Sequence, residues 1–167
     1  MACIVKGYNC ILTTTDKSAE EKIAQLKALG AEVLVCPNHV PSDDPQSYYS
    51  QAERLAREIP NSFYVNQYYN HTNVDAHYHS TGPELWNQTG GLITHYLATV
   101  GTGGTISGAG KYLKEQNPSI KVIGVDAEGS VLTKFHQTGI LDKSEIHSYQ
   151  LEGVGKNIIP SNVEFDT

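Results

Sequence analysis

The sequence predicts an α/β fold of open parallel sheets with helices on both faces, in three layers. Three observations carry that prediction. Strand-like and helix-like stretches alternate along the 167 residues. Lys121-Val122-Ile123-Gly124-Val125 is a near-continuous apolar run, as in a strand buried on both faces. A glycine-rich turn, Gly101-Thr102-Gly103-Gly104-Thr105, joins an apolar run ending at Val100 to a helical segment, Ile106 to Gln116.

Taken in order, Cys10-Ile11-Leu12-Thr13-Thr14 is β-branched and bounded by polar residues, the pattern of a buried strand. Ser18-Ala19-Glu20-Glu21 then reads as a capping box that opens a helix. Ile23, Leu26 and Leu29 share one face of that helix, and Gly30 closes it in the left-handed conformation. Glu32 to Cys36 is a second strand. A polar connection, Pro37 to Asp44, leads to a helix expected to begin near Pro45 and end before Pro60. Phe63-Tyr64-Val65 is expected as a third strand, and a helical stretch after Asn73 carries Ala76, Tyr78 and Leu85 toward Gly90-Gly91. Ile93 to Val100 is a fourth strand, followed by the glycine turn, its helix, Asn117-Pro118 and the run at Lys121. Such alternation calls for right-handed crossovers between parallel strands.

The glycine turn has the makings of a phosphate cradle. Glycines let the backbone approach an anion, and the following helix offers unpaired N–H groups and the positive end of its dipole. Thr102 and Thr105 add hydroxyls. A dinucleotide fingerprint beginning at Gly101 would need glycine where Ile106 stands, and a Walker loop beginning at Gly103 would need lysine where Ala109 stands. A smaller phosphate ester is therefore the expected ligand, with a ligand-free strand-to-helix turn as the alternative.

Composition narrows the function classes. A net charge of −6 with no block of lysines and arginines argues against nucleic acid and anionic membrane as partners, and no apolar stretch is long enough to cross a bilayer. Small molecules or protein remain, with a cytoplasmic location. Cys3, Cys10 and Cys36 are odd in number and scattered, as in reduced thiols rather than a disulfide frame. The sequons at Asn70 and Asn87 read as chance without a signal peptide. His71, His77, His79 and His95 show no i, i+4 pair with a third ligand, so no metal site is expected.

Ligands of open parallel sheets sit beyond the carboxyl ends of strands. Asn66-Gln67-Tyr68, the glycine turn and Asp126-Ala127-Glu128-Gly129-Ser130 fall at such ends, and Glu152-Gly153-Val154-Gly155 follows another apolar pair. Gln67 can read a carboxylate or amide, or simply be solvated. Asp126 and Glu128 read as turn formers or caps, with an acid/base pair as the alternative.

These separated strings resemble the cysteine synthase and cystathionine β-synthase family of fold-type II pyridoxal 5′-phosphate enzymes, with a tryptophan synthase β-like fold. The likeness runs in order through Asn66-Gln67-Tyr68-Tyr69-Asn70, Val100 to Gly108, Gly124 to Ser130 and Glu152 to Gly155. The stretch from Asp126 to Ser130 and Glu152 look more like cystathionine β-synthase; Thr81-Gly82-Pro83-Glu84-Leu85-Trp86 also looks like cysteine synthase. His71-Thr72-Asn73-Val74 departs from the family's Pro-Ala-Asn-Pro or Ala-Ser-Asn-Pro.

The resemblance implies that Gly101, Thr102, Gly103, Gly104 and Thr105 hold the cofactor phosphate. It places Gln67 and Tyr68 beside the substrate carboxylate and incoming thiol, and it has Gly153 and Gly155 keep one side of the cofactor free. It further implies a small mobile domain at residues 1–73 and part of a large cofactor-binding domain at 74–167.

The family's Schiff-base lysine lies in a Ser-x-Lys-Asp-Arg segment, and a Ser/Thr-Gly-Asn-Thr-Gly loop binds the substrate carboxylate. Neither occurs here, and the lysines present read as surface residues of helix faces and strand edges. The expected identity is thus an internal segment whose first residues, Met1-Ala2-Cys3-Ile4, continue a helix. Its parent makes cystathionine or cysteine from serine or O-acetylserine and a thiol. No catalytic residue is assigned, and the segment alone is expected to be inactive. Homodimer formation or self-association through exposed strand edges is expected, and a non-catalytic phosphate- or protein-binding module is the rival reading.

Overall fold

The structure, a computed structural model, describes residues 1–166; Thr167, the last residue of the expected large domain, lies outside them. The chain divides into two compact units, Met1–Tyr64 and a second from Val65 onward. Asn66-Gln67-Tyr68 thus belongs to the second unit.

The first unit opens with α1 (Ala2–Lys6), which Gly7 ends in the left-handed conformation. β1 (Ile11–Thr15), α2 (Glu20–Ala28) and β2 (Glu32–Cys36) form a βαβ crossover, with the strands parallel and Ile11 opposite Glu32 through Thr15 opposite Cys36. α3 (Tyr48–Glu58) follows. Two expected helix starts shift. Ser18 does not cap α2: its hydroxyl pairs with that of Thr14, and Ala19 occupies the cap. Pro45 precedes α3 rather than starting it, because Ser47 takes the cap and its Oγ accepts from the Ser50 amide at 3.1 Å. Burial raises the Cys36 thiol above its ordinary value, and burial followed by the neighbouring Cys3 raises Cys10, so neither is disposed to be a thiolate.

Phe63-Tyr64-Val65 is not a strand. Phe63 is 80% and Val65 61% exposed, and Asn61 and Asn66, both at positive φ, bend the chain on either side. An aromatic and β-branched run becomes a strand only where another strand supplies hydrogen bonds.

The second unit contains α4 (Thr72–His79), α5 (Thr81–Gln88), β3 (His95–Thr99), α6 (Gly104–Gln116), β4 (Lys121–Val125) and α7 (Leu132–Thr138). The single helical stretch expected after Asn73 is two helices broken at Ser80, whose φ and ψ are −126 and −69. Pro83 explains the break: without an N–H it fits the first turn of α5 but not the middle of a continuous helix.

β3 and β4 pair in parallel, His95 opposite Lys121 through Thr99 opposite Val125, with α6 as the crossover. Tyr96, Ala109, Leu113 and Ile120 are the buried centre, flanked by Leu85, Trp86 and Val122. β4 is at its predicted position but is not buried on both faces; Ile123 and Val125 are 40% and 44% exposed, because this sheet has two strands among the described residues. Lys134 of α7 donates to Asp142 at 2.8 Å and Glu145 at 2.7 Å, anchoring the following 3₁₀ turn (Lys143–Glu145). That ammonium holds the Asp142 carboxyl well below the usual range. No helix of the described residues is long and apolar enough to cross a membrane.

Candidate functional site

The glycine turn lies just past the carboxyl end of β3. Val100 still extends the ladder, its amide donating to the Val125 carbonyl at 3.0 Å, and the chain then bends into α6. Gly103 is the N-cap of that helix, at φ 92 and ψ −22. A Cβ on Gly103 would stand 2.6 Å from the Asn162 carbonyl oxygen as well as needing a strained φ, so sterics and conformation both select glycine.

The consequence is a set of orphan donors. Among the described residues the amides of Gly101, Thr102, Gly103, Thr105 and Ile106 donate to nothing within the chain, and Gly104 has only the Thr102 hydroxyl at 3.5 Å. These donors and the positive end of a 13-residue helix meet at one place, which is the arrangement that binds an oxyanion.

The turn borders a cavity of about 310 Å³, lined also by Gln67, Tyr68, Thr99, Ile106, Gly153 and Lys156. Asn73 braces one wall: its Nδ2 donates to the Thr102 hydroxyl at 3.0 Å and to the Gln67 carbonyl at 2.9 Å. Because Thr102 accepts that bond, its own O–H is left to donate elsewhere. Thr105 pairs with Nε2 of His77 at 3.0 Å, and His77 Nδ1 pairs with Thr81 at 2.9 Å. The Gln67 carbonyl accepts a second bond, at 2.8 Å, from the fully buried Asn162, whose Oδ1 has no partner in the chain. Two amide side chains thus hold Gln67 and Tyr68 against the turn.

Of the residues singled out in the sequence, Gln67, Tyr68, Gly101, Thr102, Gly103, Thr105 and Gly153 surround this cavity. Gly104 and Gly155 do not line it. Gly104 begins α6 at a spot where any side chain would collide with that of Asn73. Gly155 donates its amide to the Val100 carbonyl at 2.7 Å, fastening the Glu152–Gly155 loop to the strand end. Asp126 is engaged structurally, its Oδ2 accepting from the amide and hydroxyl of Thr133, and Glu128 is exposed; neither lines the cavity. The described residues contain no group of three potential metal ligands.

Thr99 and Ile106 of the lining, and Asn73 behind it, were not singled out in the sequence; Lys156, read there with the other lysines as a surface residue, is instead half-buried at the cavity, because the Glu152–Gly155 loop folds back onto the strand end. Lys156 follows the Gly153-x-Gly155 turn directly, and that adjacency was the available signal. It faces the cavity, with Nζ 3.4 Å from the Tyr68 hydroxyl and 5.0 Å from the centre of its ring. Nearby, burial raises the Tyr149 phenol, with Asp126 and Tyr68 adding to the shift.

The family described as "Pyridoxal-phosphate dependent enzyme" matches residues 1–167. The chain belongs to that family. Its fold is the fold-type II α/β architecture of these pyridoxal-phosphate enzymes, and the family's cofactor is pyridoxal 5′-phosphate.

Among its relatives, a cystathionine beta-synthase of Apis mellifera is 42% identical over 161 residues, covering 96% of this chain and 31% of the relative. A cysteine synthase B of Pseudomonas aeruginosa is 42% identical over 133 residues, 79% of this chain and 43% of the relative. The crystal structure of an O-acetylserine dependent cystathionine beta-synthase from Helicobacter pylori superposes with a TM-score of 0.83 at 33% identity, over 95% of this chain and 48% of that one. The chain therefore spans about a third of the cystathionine beta-synthase relative and about half of the solved structure.

Five orphan amides at a helix N-terminus fit the phosphate ester of a pyridoxal phosphate.

Proposed function

We propose that this chain is the central, phosphate-holding segment of a pyridoxal-phosphate-dependent β-replacement enzyme that makes cystathionine or cysteine from serine or O-acetylserine and a thiol. The observation that carries the proposal is that Gly101, Thr102, Gly103, Thr105 and Ile106, whose amides have no partner in the chain, all line the cavity at the end of β3. When bound, the cofactor supplies the electron sink for removing the α-proton and β-substituent of an amino acid.

The chain's own residues do the rest of the binding. The amides and Thr102 hydroxyl hold the phosphate. Gly153, which carries no side chain into the cavity, keeps one side of the ring free, while Gly155 fixes that loop to the strand. Gln67 offers its side-chain N–H donors to the substrate carboxylate, and Tyr68 packs beside the thiol. These 167 residues contain no Ser-x-Lys-Asp-Arg segment, so no family lysine is present to hold the cofactor covalently or take the α-proton. The chain alone binds without turning over. The same reading assigns residues 1–73 to a small closing domain and 74–167 to the large one, in a cytoplasmic, self-associating protein whose small-molecule partners are amino acids.

Equilibrium dialysis of the chain against pyridoxal 5′-phosphate and against pyridoxal tests the assignment. The phosphate ester is expected to bind at least about tenfold more tightly, the contribution of charge-assisted hydrogen bonds. Equal retention of the two compounds would refute it.

A further inference from the structure

Lys156 is the one charged side chain among the described residues that line the cavity. Its backbone is held on both sides: its amide donates to the buried Ser130 hydroxyl at 2.9 Å, and its carbonyl accepts from the Val131 amide at 2.9 Å. The preceding Gly155 is tied to Val100, so the origin of the side chain is fixed relative to both the strand end and the Asp126–Ser130 loop. The ammonium then lies over the face of Tyr68, which is 6% exposed, within reach of the phenol oxygen. Among the described residues no carboxylate forms an ion pair with it.

A cation positioned from a clamped backbone, stacked on a buried aromatic ring and lacking an anionic partner is arranged to receive one. The glycine turn does not need it as a counter-charge, since amides and the helix dipole already serve that end of the cavity. The neighbours of Nζ belong instead to the Gln67-Tyr68 side.

We propose that Lys156 is a specificity-determining residue whose ammonium takes the carboxylate of an amino-acid ligand, at a point separate from the phosphate-holding amides. The inference rests on the functional reading above for the class of ligand and deepens it. A thiol carrying a carboxylate can pair that group with Lys156 and keep its sulfur free to react, whereas hydrosulfide can meet the ammonium only through the sulfur that must react, so the cavity favours an amino-acid thiol as nucleophile. The carboxylate can come from the serine-type substrate or from the thiol, and the experiment separates the two.

The full chain and its Lys156→Met and Lys156→Arg variants are titrated by NMR with L-serine, L-homocysteine, 2-mercaptoethanol and inorganic phosphate. Circular dichroism confirms folding, which the main-chain bonds of Lys156 preserve. Lys156→Met is expected to weaken an amino-acid probe by about tenfold or more, with Lys156→Arg restoring most of it, while 2-mercaptoethanol and phosphate are unchanged. Loss confined to L-homocysteine assigns the carboxylate to the nucleophile and supports the proposal with its preference for an amino-acid thiol; loss confined to L-serine supports the carboxylate contact but overturns that preference. Unchanged binding of both amino acids in Lys156→Met, or failure of either to bind the parent chain, overturns it. So does a parallel loss of phosphate affinity, which would place Lys156 in the phosphate socket. Lysine-dependent amino-acid binding without any phosphate binding would leave this inference standing and refute the socket.

Discussion

Gly101→Ala is expected to abolish selective retention of pyridoxal 5′-phosphate and to lower the thermal midpoint of the chain. A Cβ at residue 101 would collide with the carbonyl oxygen of Gly153 and stand 3.5 Å from its carbonyl carbon. The obstacle is backbone and cannot rotate away. Nor can the Gly153 loop retreat freely, because Gly155 fastens it to Val100 through a 2.7 Å hydrogen bond. Relief requires either breaking that bond or tilting the turn, and both displace the amides that point at the cavity. Overpacking of this kind costs about 1–3 kcal/mol. The effect on the ligand is the larger one, since a socket of aligned donors depends on their mutual orientation. Dialysis with the two pyridoxal compounds, beside a thermal melt, separates the two effects. Retained discrimination between the compounds would show that the turn and the Gly153 loop are not coupled as described.

Gly108→Ala is expected to be among the most destabilising single-methyl substitutions in the second unit, by about 3 kcal/mol at the upper end of the overpacking range. Gly108 faces α4 on the same stripe of α6 as Gly104, one turn earlier, whose own added Cβ would meet Asn73 of α4. The Cβ added at Gly108 would strike the Val74 carbonyl and stand 2.9 Å from both the His77 Cβ and the Tyr78 amide nitrogen. Two of those three neighbours are main-chain atoms of a helix, so α4 and α6 must separate as rigid bodies. Asn73 and His77, which brace Thr102 and Thr105, ride on α4. Anion affinity should therefore fall together with the urea midpoint. A midpoint within experimental error of the parent would contradict the close approach of the two helices.

The glycine turn was legible in the sequence because its chemistry is local: consecutive glycines after an apolar run and before a helix specify where a chain bends and where its amides go unpaired. The ends of β2 and β4 were legible for a similar reason, while β1 runs one residue later than read, Ile11–Thr15 rather than Cys10–Thr14. Phe63-Tyr64-Val65 misled because strand formation needs a partner that short-range pattern does not reveal. The exposure of Ile123 and Val125 was hidden for the same reason: an apolar run records what a strand is suited to, not how many strands flank it. Ser80 escaped because the break depends on the missing N–H of Pro83 meeting a particular turn of helix. Asn73, Asn162 and Lys156 are far from the glycine turn in sequence or carry no motif of their own. Their roles come from tertiary hydrogen bonds, between Asn162 and Gln67 and between Lys156 and Ser130, that sequence spacing does not encode.

The backbone amides at the end of β3 are expected to receive the phosphate ester of the cofactor. An amide-resolved NMR titration of the chain with pyridoxal 5′-phosphate addresses it directly. The predicted result is that the largest shifts fall on Gly101, Thr102, Gly103, Gly104, Thr105 and Ile106, and that inorganic phosphate reproduces them. The contradicting result is that these amides stay still while shifts gather elsewhere, such as at the second cavity lined by Lys111, Lys114 and Phe165.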